Sequence, residues 1–392
     1  MAAKGIYFIR IIAVFLSVVI LVRKTGADAP TPMISRSFFP LCLFLACLAA
    51  GCKSPDKMPA KPDFSPVVAT RDFIFGDDRP FAQCHASTVL RNAKGEFLVA
   101  WFGGTHEKHD DVGIWFSRGR PGAWTPPVEI AKLREDAHWN PVLARSPKGE
   151  IVLFFKVGKT IDEWETWYKV STDEGTTWSD ARELVPGDKG GRGPVRNKPI
   201  VLSNGDWLAP SSNEKNRVWN AFTDRSADNG QTWEMSGFLT LNRDSVPGEG
   251  VIQPTLWESA PGKVHMLLRS SAGVICRSDS DDYGLHWTPV CKTALPNPNS
   301  GIDLAPLPGN RLAVVFNRDD KNWGARRPLS VAVSTDNGLS WSTPLDLETG
   351  EEGDEYSYPS VISFGDTLAI TYTWKRQRIR FLEVVIPPAA DH

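Results

Sequence analysis

The stretch Ser171-Thr-Asp-Glu-Gly-Thr-Thr-Trp178 decides the fold, because variants of it recur along the chain at a constant interval. Further copies open at Ser226, Ser280 and Ser334, and a degenerate copy that keeps only the Ser, a Gly and the Trp opens at Ser117. The steps between the opening serines are 54, 55, 54 and 54 residues. A fixed period of this size is typical of repeat architectures, in which each unit needs its neighbours to cover its apolar faces. We call this eight-residue motif the box.

The box has the composition of a tight turn between two antiparallel strands. Its Ser and Asp side chains can accept hydrogen bonds from nearby backbone amides, and its Gly allows a positive φ. Its Trp supplies a large apolar surface with one N–H group. The residues on either side, 166–170 and 181–185, have the pattern of strands. We therefore expect the boxes to be structural.

The composition favours many short strands over helices. The 392 residues include 15 Trp, 32 Gly and 30 Pro, which suits strands separated by turns. The formal net charge of −2 shows no bias toward nucleic acid or toward an anionic membrane surface. We expect no nucleic-acid partner.

Each period carries the same four-strand pattern, and the periods close into a ring. In the second unit, the innermost three strands are expected at 142–145, 150–155 and 166–170, with the fourth after the box. The last unit has three strands only, and the missing fourth is available upstream, at 69–75. The sequence therefore predicts an all-β, six-bladed β-propeller over residues 66–392, whose last blade is closed by the N-terminal strand. This arrangement removes an open sheet edge.

Residues 1–52 have the features of a targeting region. Met33 starts a segment with a charged beginning, an apolar stretch too short to span a membrane (38–50), and the sequence Leu48-Ala-Ala-Gly-Cys52. This segment resembles a bacterial lipoprotein signal, with Met33 as the true start and Cys52 as the lipidated residue. An ordinary cleaved signal is the alternative. Residues 53–65 then form a tether, and the mature protein is expected to be exported and lipid-anchored, in the periplasm or at the cell surface.

Export permits disulfides, and three cysteines follow the signal: Cys84, Cys276 and Cys291. Cys276 and Cys291 lie symmetrically about the box that opens at Ser280. In a regular hairpin they would face each other and could form a cross-strand bridge, which would leave Cys84 unpaired. The sequence leaves this pairing open.

Strand alternation places the functional site on the face opposite the boxes. The starts of the innermost strands and the ends of the next strands should converge around the axis, in a recess that we call the funnel. Arg is well suited to bind carboxylates there, because its planar guanidinium can donate two hydrogen bonds at once. The polar residues at these positions are His85, Asn140, Arg196, Lys198, Gln253, Asp303, Tyr356 and Tyr358, then His106, Lys156, Glu214, Arg269, Arg318 and Arg376.

Boxes on a six-bladed scaffold resemble the sialidase (neuraminidase) superfamily, particularly its bacterial members with BNR repeats. The resemblance covers the chain from about residue 66 onward and implies a glycoside hydrolase that removes a terminal sialic-acid-like sugar. It also implies that Arg269 and Arg327 bind the substrate carboxylate and that Tyr356 is the nucleophile. Asp110, or its neighbour Asp111, would be the acid/base residue.

The sequence departs from this family pattern at two places. The Arg-Ile-Pro motif of the first blade is replaced by Cys84-His85-Ala-Ser87. The glutamate that would activate the tyrosine is Gln253, which cannot accept a proton; Glu214 or Glu249 are possible substitutes. These differences put a tyrosine–glutamate nucleophile in question.

A second reaction class therefore stays open, the β-elimination of a terminal uronate. It needs cations for the carboxylate, a base and an acid, and His85, His106, Tyr356 and the arginines would supply them. Propellers of the rhamnose–glucuronate lyase type are similar in opening with a His. The remaining funnel residues, Arg196, Lys198, Gln253, Asn140 and Tyr358, are expected to bind substrate. A non-catalytic glycan-binding propeller is a third alternative, and no motif indicates a metal or cofactor.

Overall fold

A computed structural model describes residues 64–388. Within this part of the chain, 25 strands form six antiparallel sheets, joined by loops and one 3₁₀ helix (Ile161–Glu163). The predicted all-β, six-bladed propeller is confirmed. The targeting region, with Cys52 and almost all of the tether, lies outside the described residues. Among the residues described, no helix has the length and apolar character needed to cross a membrane.

The blades follow one another along the chain, and each runs from an inner strand to an outer one. Blade 1 consists of β2 (Gln83–Arg91), β3 (Phe97–Gly104), β4 (Gly113–Arg120), β5 (Ala123–Trp124) and β6 (Val128–Ala131). Blade 2 consists of β7 (His138–Arg145), β8 (Ile151–Val157), β9 (Glu165–Ser171) and β10 (Arg182–Glu183). Blade 3 consists of β11 (Ile200–Val201), β12 (Trp207–Lys215), β13 (Val218–Ser226) and β14 (Glu234–Met235).

The second half of the ring repeats this order. Blade 4 consists of β15 (Val251–Ala260), β16 (Lys263–Ser270), β17 (Val274–Ser280) and β18 (Cys291–Pro296). Blade 5 consists of β19 (Asp303–Leu307), β20 (Arg311–Asn317), β21 (Leu329–Ser334) and β22 (Leu345–Glu348). Blade 6 consists of β23 (Tyr356–Phe364), β24 (Thr367–Trp374), β25 (Arg378–Val385) and β1 (Val67–Phe73).

The N-terminal strand closes the ring as predicted. β1 starts two residues before the expected position and pairs antiparallel with β25, from Val67 opposite Val385 to Phe73 opposite Arg380. The outer edge of blade 6 is therefore formed by a strand from the other end of the described chain, so the closure joins its two ends. β1 also covers the edge of β25, on which another chain could otherwise pair.

The full boxes form the predicted turns through a repeated set of hydrogen bonds. In the second blade, the Asp173 carboxylate accepts from the amide of Thr177 at 2.8 Å, and the Ser171 hydroxyl accepts from the amide of Gly175 at 2.9 Å. The fourth residue of each full box has a positive φ, as at Glu174 with 64°. The degenerate copy lacks the Asp and instead forms the short β4–β5 hairpin, in which Gly119 pairs with Trp124.

The cross-strand bridge between Cys276 and Cys291 is not formed, because the hairpin register is one residue away from the symmetric one. Cys276 pairs with Lys292, and Arg277 pairs with Cys291. Neighbouring positions of a strand point to opposite faces of the sheet. Cys276 consequently enters the core as a buried free thiol.

Candidate functional site

The inner strands share a backbone feature where they reach the funnel. Within the described chain, all six carry a residue with positive φ, between 42° and 74°, at their funnel end or within four residues before it: Ala86, Asn140, Arg196, Gln253, Asn299 and Tyr358. In four of these strands the pairing register shifts at the same place. A bulge re-aims a side chain, and a positive φ costs a residue other than Gly about 1–3 kcal/mol. The repeated strain indicates that the fold directs these positions toward the axis.

Tyr358 lies at the centre of the polar side chains in the funnel. Its hydroxyl oxygen accepts a hydrogen bond from Nη1 of Arg269 at 2.6 Å, and its ring centroid lies 4.1 Å from that of His85. The guanidinium carbons of Arg326 and Arg196 lie 5.3 and 5.4 Å from the same ring. One phenol is therefore surrounded by three cations and an imidazole, contributed by blades 1, 3, 4, 5 and 6.

Arg269, at the end of β16, is buried and held on several sides. Its Nε donates to Asn299 at 2.7 Å, and its Nη1 also donates to Oε1 of Gln253 at 3.1 Å. Its guanidinium carbon lies 5.2 Å from the ring of Trp219 and 5.9 Å from that of Trp323, which is 58% exposed. Gln253 therefore orients Arg269. Nη2 of Arg269 has no hydrogen-bond partner within residues 64–388, so it remains available to a bound carboxylate.

Glu355 holds two more arginines at the funnel. Its carboxylate accepts from Nη1 of Arg326 at 3.1 Å and from Nε of Arg376 at 2.9 Å, and Arg376 also binds Glu107 at 2.7 Å. Burial favours a raised pKa for Glu355, but the charges of Arg376 and Arg326 hold that pKa below its usual value. The sequence prediction missed Glu355, although it directly precedes the last inner strand. Arg326 and Arg376 are distant from Glu355 in the sequence, so only the fold shows that its carboxylate lies between them.

His85 enters the funnel from β2 and is neutral. It is 2% exposed, and its Nδ1 lies 2.8 Å from Oγ1 of Thr373. Burial, followed by the charges of Arg376 and Arg326, lowers the pKa of His85 well below its ordinary value. A neutral imidazole beside a phenol can accept a proton at neutral pH.

Arg196 and Lys198, both expected to bind substrate, are instead engaged in contacts between blades. The Arg196 guanidinium donates to the backbone carbonyls of Ser87, Tyr358 and Pro359. Burial lowers the pKa of Arg196 to about 10. Nζ of Lys198 donates to the carboxylate of Asp303 at 2.8 Å. Because these donors are used by the protein, with Nε of Arg196 left unpaired among the described residues, both side chains brace the walls of the funnel.

Tyr356, expected as the nucleophile, points away from the arginines. Its hydroxyl donates to Asp354 at 2.9 Å, and its ring is buried in the core shared by blades 5 and 6. The reason is the register of β23, which shifts between Ser357 and Ser360 and so places Tyr358 in the bulge. The structure thus brings Tyr358, and not Tyr356, to the arginine cluster.

The loop after β3 carries the two remaining catalytic candidates. His106 is exposed, with Nδ1 2.9 Å from the carbonyl oxygen of Glu107, and it lines a shallow depression together with His85 and Arg376. The Asp110 side chain is exposed and forms no hydrogen bond within residues 64–388. Asp111 is instead bound by Thr105, whose hydroxyl donates to it at 2.6 Å. His106 therefore lies at the rim of the site, and Asp110 is free.

Two other predicted binding residues are less involved. Arg327 forms no hydrogen bond, ion pair or ring contact within the described residues, whereas its neighbour Arg326 contacts Glu355 and the ring of Tyr358. Asn140 is buried at the bulge of β7, with a φ of 42°. Between Trp139 and Val142 the register of this strand shifts, which accounts for its position at the axis.

Glu214 adds an unpaired carboxyl group to the site. It lies at the end of β12 and is half-buried. Burial raises its pKa, while the charge of nearby Arg269 acts in the opposite direction. A carboxyl group with a raised pKa keeps its proton to a higher pH and is better suited to act as a general acid. Among residues 64–388, no cluster of three or more His, Cys, Asp or Glu side chains is arranged to hold a metal ion.

Solved structures with similar folds include sialidases. A Hadza microbial sialidase superposes with a TM-score of 0.65 at 17% identity, covering 77% of this chain and 65% of its own length. A protein of unknown function from Dyadobacter fermentans superposes with a TM-score of 0.66 at 16% identity, covering 82% of this chain and 99% of its own. The intramolecular trans-sialidase of Ruminococcus gnavus gives 0.61 at 13% identity, with coverages of 80% and 96%. At such identities the similarity shows the shared fold.

The sequence itself carries the family assignment. No protein with a curated description matches this chain in sequence. Residues 95–370, well over half of the 392 residues, match the model of the BNR repeat-like domain. The chain therefore belongs to the family of BNR repeat-like domains, with a distant structural similarity to sialidases.

Proposed function

We propose that this protein is an enzyme that cleaves a terminal acidic sugar from a glycan. One observation carries the proposal: the hydroxyl of Tyr358 is bound by Arg269, and its ring lies 4.1 Å from that of His85. A phenol and a neutral imidazole in contact are a suitable acid–base pair. Arg269, Arg326 and Arg376 around them suit a substrate that carries a carboxylate.

Of the two reactions, β-elimination of a terminal uronate is the one that this set of groups supports better. A tyrosine nucleophile needs a base to remove its proton, and within residues 64–388 no carboxylate is hydrogen-bonded to the Tyr358 hydroxyl. The side chain that is hydrogen-bonded to this hydroxyl, Arg269, cannot accept the proton, and His85 packs against the tyrosine ring without a hydrogen bond to the hydroxyl within this range. Elimination requires only neutralisation of the substrate carboxylate, a base for the proton on C5 and an acid for the leaving oxygen.

The roles follow from the hydrogen bonds of His85. We assign the tautomer in which Nδ1 of His85 donates to the Thr373 hydroxyl oxygen at 2.8 Å; that oxygen has two lone pairs and also accepts from the amide of Ala86 at 3.1 Å. Nε2 of His85 is then the base that takes the C5 proton. The bond between C4 of the uronate and the oxygen of the sugar attached there breaks, a C4–C5 double bond forms, and the hydroxyl of Tyr358 gives its proton to the oxygen of that departing sugar.

Hydrolysis of a sialic-acid-like sugar is the second candidate, and Glu214 favours it. A half-buried carboxyl group with a raised pKa near Arg269 can exchange protons with a leaving group or a water molecule. In this reaction Tyr358 would attack the anomeric carbon. The fold similarity to sialidases supports this candidate by analogy only.

A non-catalytic glycan-binding propeller is less well supported. Binding alone would not need an unprotonated imidazole against a phenol, whereas the arginines would serve either purpose. Measurement of affinity for a uronate-capped oligosaccharide, with the bound glycan recovered intact after prolonged incubation, would establish this alternative.

Product analysis separates the reactions. The protein is incubated with an oligosaccharide whose uronate carries a sugar on O4 and with a sialylated oligosaccharide, and the products are followed by mass spectrometry and ultraviolet absorbance. Elimination gives an unsaturated uronate that absorbs in the ultraviolet and weighs one water less than the hydrolysis product. Release of free sialic acid, or of a saturated uronate, would contradict elimination.

We further propose that the enzyme is exported and lipid-anchored through Cys52 to a bacterial membrane. The lipoprotein-like sequence 48–52 supports this location. The wild-type protein should then fractionate with membranes and become soluble when Cys52 is changed to Ser. Wild-type protein found free in the periplasm or medium would contradict the anchor.

A further inference from the structure

A second cluster of chemically competent side chains lies on the box face of blade 4. The hydroxyl oxygen of Ser259 lies 2.7 Å from Nε2 of His265, and Nδ1 of His265 lies 2.6 Å from Oδ1 of Asp279. A nucleophile bonded to a base, and the base bonded to a carboxylate that orients it, is the arrangement by which serine is activated for acyl transfer.

The neighbours of His265 select the tautomer that this chemistry requires. Oδ1 of Asn337 accepts from the indole N–H of Trp257 at 2.7 Å, so the amide NH₂ of Asn337 must be the group that donates to Nε2 of His265 at 3.1 Å. Nε2 is therefore an acceptor, and the ring proton is on Nδ1, which lies 2.6 Å from Oδ1 of Asp279 and, at a longer 3.2 Å, beside Nη2 of Arg277. The Ser259 hydroxyl consequently donates to Nε2.

The rest of the surroundings hold the base and leave the nucleophile open. The His265 ring stacks on Trp257 at 5.0 Å and is 8% exposed. Nε of Arg277 donates to Asp279 at 2.9 Å, which keeps the carboxylate ionised and in place. Ser259 is exposed and lies where the β15–β16 register shifts, between Glu258 and Ala260. A bulge commonly re-aims a side chain next to a reactive site.

We propose that Ser259, His265 and Asp279 form a second reactive site, which cleaves exposed esters of small carboxylic acids such as acetyl esters. Oγ of Ser259 attacks the acyl carbon while its proton moves to Nε2 of His265. The ester C–O bond breaks, and the departing alkoxide takes that proton. Water then attacks the acyl-serine, gives a proton to Nε2 and releases the carboxylic acid as the serine regains its proton.

This site is independent of the function proposed for the funnel. The β15–β16 hairpin and the box of blade 5, which contributes Asn337, lie on the face opposite the ends of β16 and β12. The two activities should therefore be lost separately. Neither Ser259 nor His265 contacts a residue of the arginine cluster around Tyr358.

The test is covalent labelling of the whole protein with a fluorophosphonate, combined with hydrolysis of 4-nitrophenyl acetate. One adduct per molecule should map to Ser259 by peptide mass analysis and disappear in Ser259→Ala. His265→Gln should slow both labelling and hydrolysis by about 10²–10⁴-fold, the usual contribution of a general base. Ser363→Ala is the matched control, because Ser363 also lies near an inner hairpin but donates to a carbonyl oxygen, that of Pro306.

Asp279→Asn is a second variant for the case that His265→Gln unfolds. Its amide keeps the shape of the carboxylate but removes the charge that holds the His265 imidazole, so labelling and hydrolysis should again be slower. Circular dichroism identifies the folded variants. Absence of an adduct on Ser259 in folded wild-type protein would overturn the proposal. Equal labelling of wild type and of either folded variant would also overturn it.

Discussion

The two tyrosines at the start of β23 differ in the hydrogen-bond partner of their hydroxyl groups, and this difference gives the first prediction. Tyr358→Phe removes the hydroxyl that Arg269 binds, and we expect kcat to fall by about 10²–10⁴-fold. Tyr356→Phe removes only a hydrogen bond to Asp354 in the core, so its activity should stay within a few-fold of wild type. Rates on the substrate identified by product analysis check this. Loss of turnover in Tyr356→Phe alone would restore the original assignment.

The charge around His85 gives a second prediction at the same scale. Because burial and then the arginine charges lower the pKa of His85, the acidic limb of the kcat/KM–pH profile should lie below the ordinary imidazole range of about 6.5. Among these charges, that of Arg376 has the largest effect, so Arg376→Gln should shift the acidic limb to higher pH. The matched control is Arg145→Gln, because Arg145 pairs with Glu174 in the box of blade 2, on the face away from the funnel. An unchanged limb in Arg376→Gln would remove His85 from the titration.

At the level of elements, each full box is a turn stabilised by one carboxylate. Hydrogen bonds from the Thr232 side chain and amide lower the pKa of Asp228 to about 2, below its value in the unfolded chain. A lowered pKa stabilises the fold above the unfolded value of about 4 and stops doing so as pH falls through the folded value.

Asp228→Asn should therefore lower the urea midpoint at pH 6, and the difference from wild type should shrink as the pH approaches 2. Asp180→Asn, at an exposed aspartate just outside a box, serves as the control. A difference between Asp228→Asn and wild type that is the same at pH 6 and near pH 2 would show that the carboxylate charge contributes nothing to the turn.

At the level of the whole molecule, the ring depends on pairing between its two ends. The guanidinium of Arg311 donates to the carbonyl oxygens of Ile386 and Pro387, and it lies 5.9 Å from the ring of Phe64. A chain that starts at residue 74 lacks β1 and leaves the edge of β25 free, so it should lose cooperative unfolding and aggregate.

A chain that starts at residue 64 retains β1 and should unfold with the same midpoint as the full protein. Calorimetry and light scattering distinguish the two truncations. A soluble, cooperatively folded chain from residue 74 would show that the closure is dispensable.

Much of the architecture could be predicted from the sequence, because it depends on local chemistry that repeats. A Ser, an Asp, a Gly and a Trp at fixed spacing specify a turn at four places, and together with the degenerate copy they set the period of 54 or 55 residues on which the blades repeat. The chain also lacks a fourth strand in its last unit, which predicts closure by the N-terminal strand. Alternation of strand direction then identified the face that carries Arg269, His85 and Tyr358.

Only the tertiary structure decided which of these side chains meet. Tyr356 and Tyr358 lie two positions apart on one strand, and the sequence alone does not show which of them faces the funnel. A bulge in β23 places Tyr358 there. A difference of one position likewise decides that Arg326, and not Arg327, contacts Glu355. A register shift of one residue prevents Cys276 from facing Cys291. Register and bulges are set by packing between strands that are distant in sequence, whereas turns are set by neighbouring residues. The sequence therefore determined the ring of blades, and long-range packing determined the chemistry at its axis.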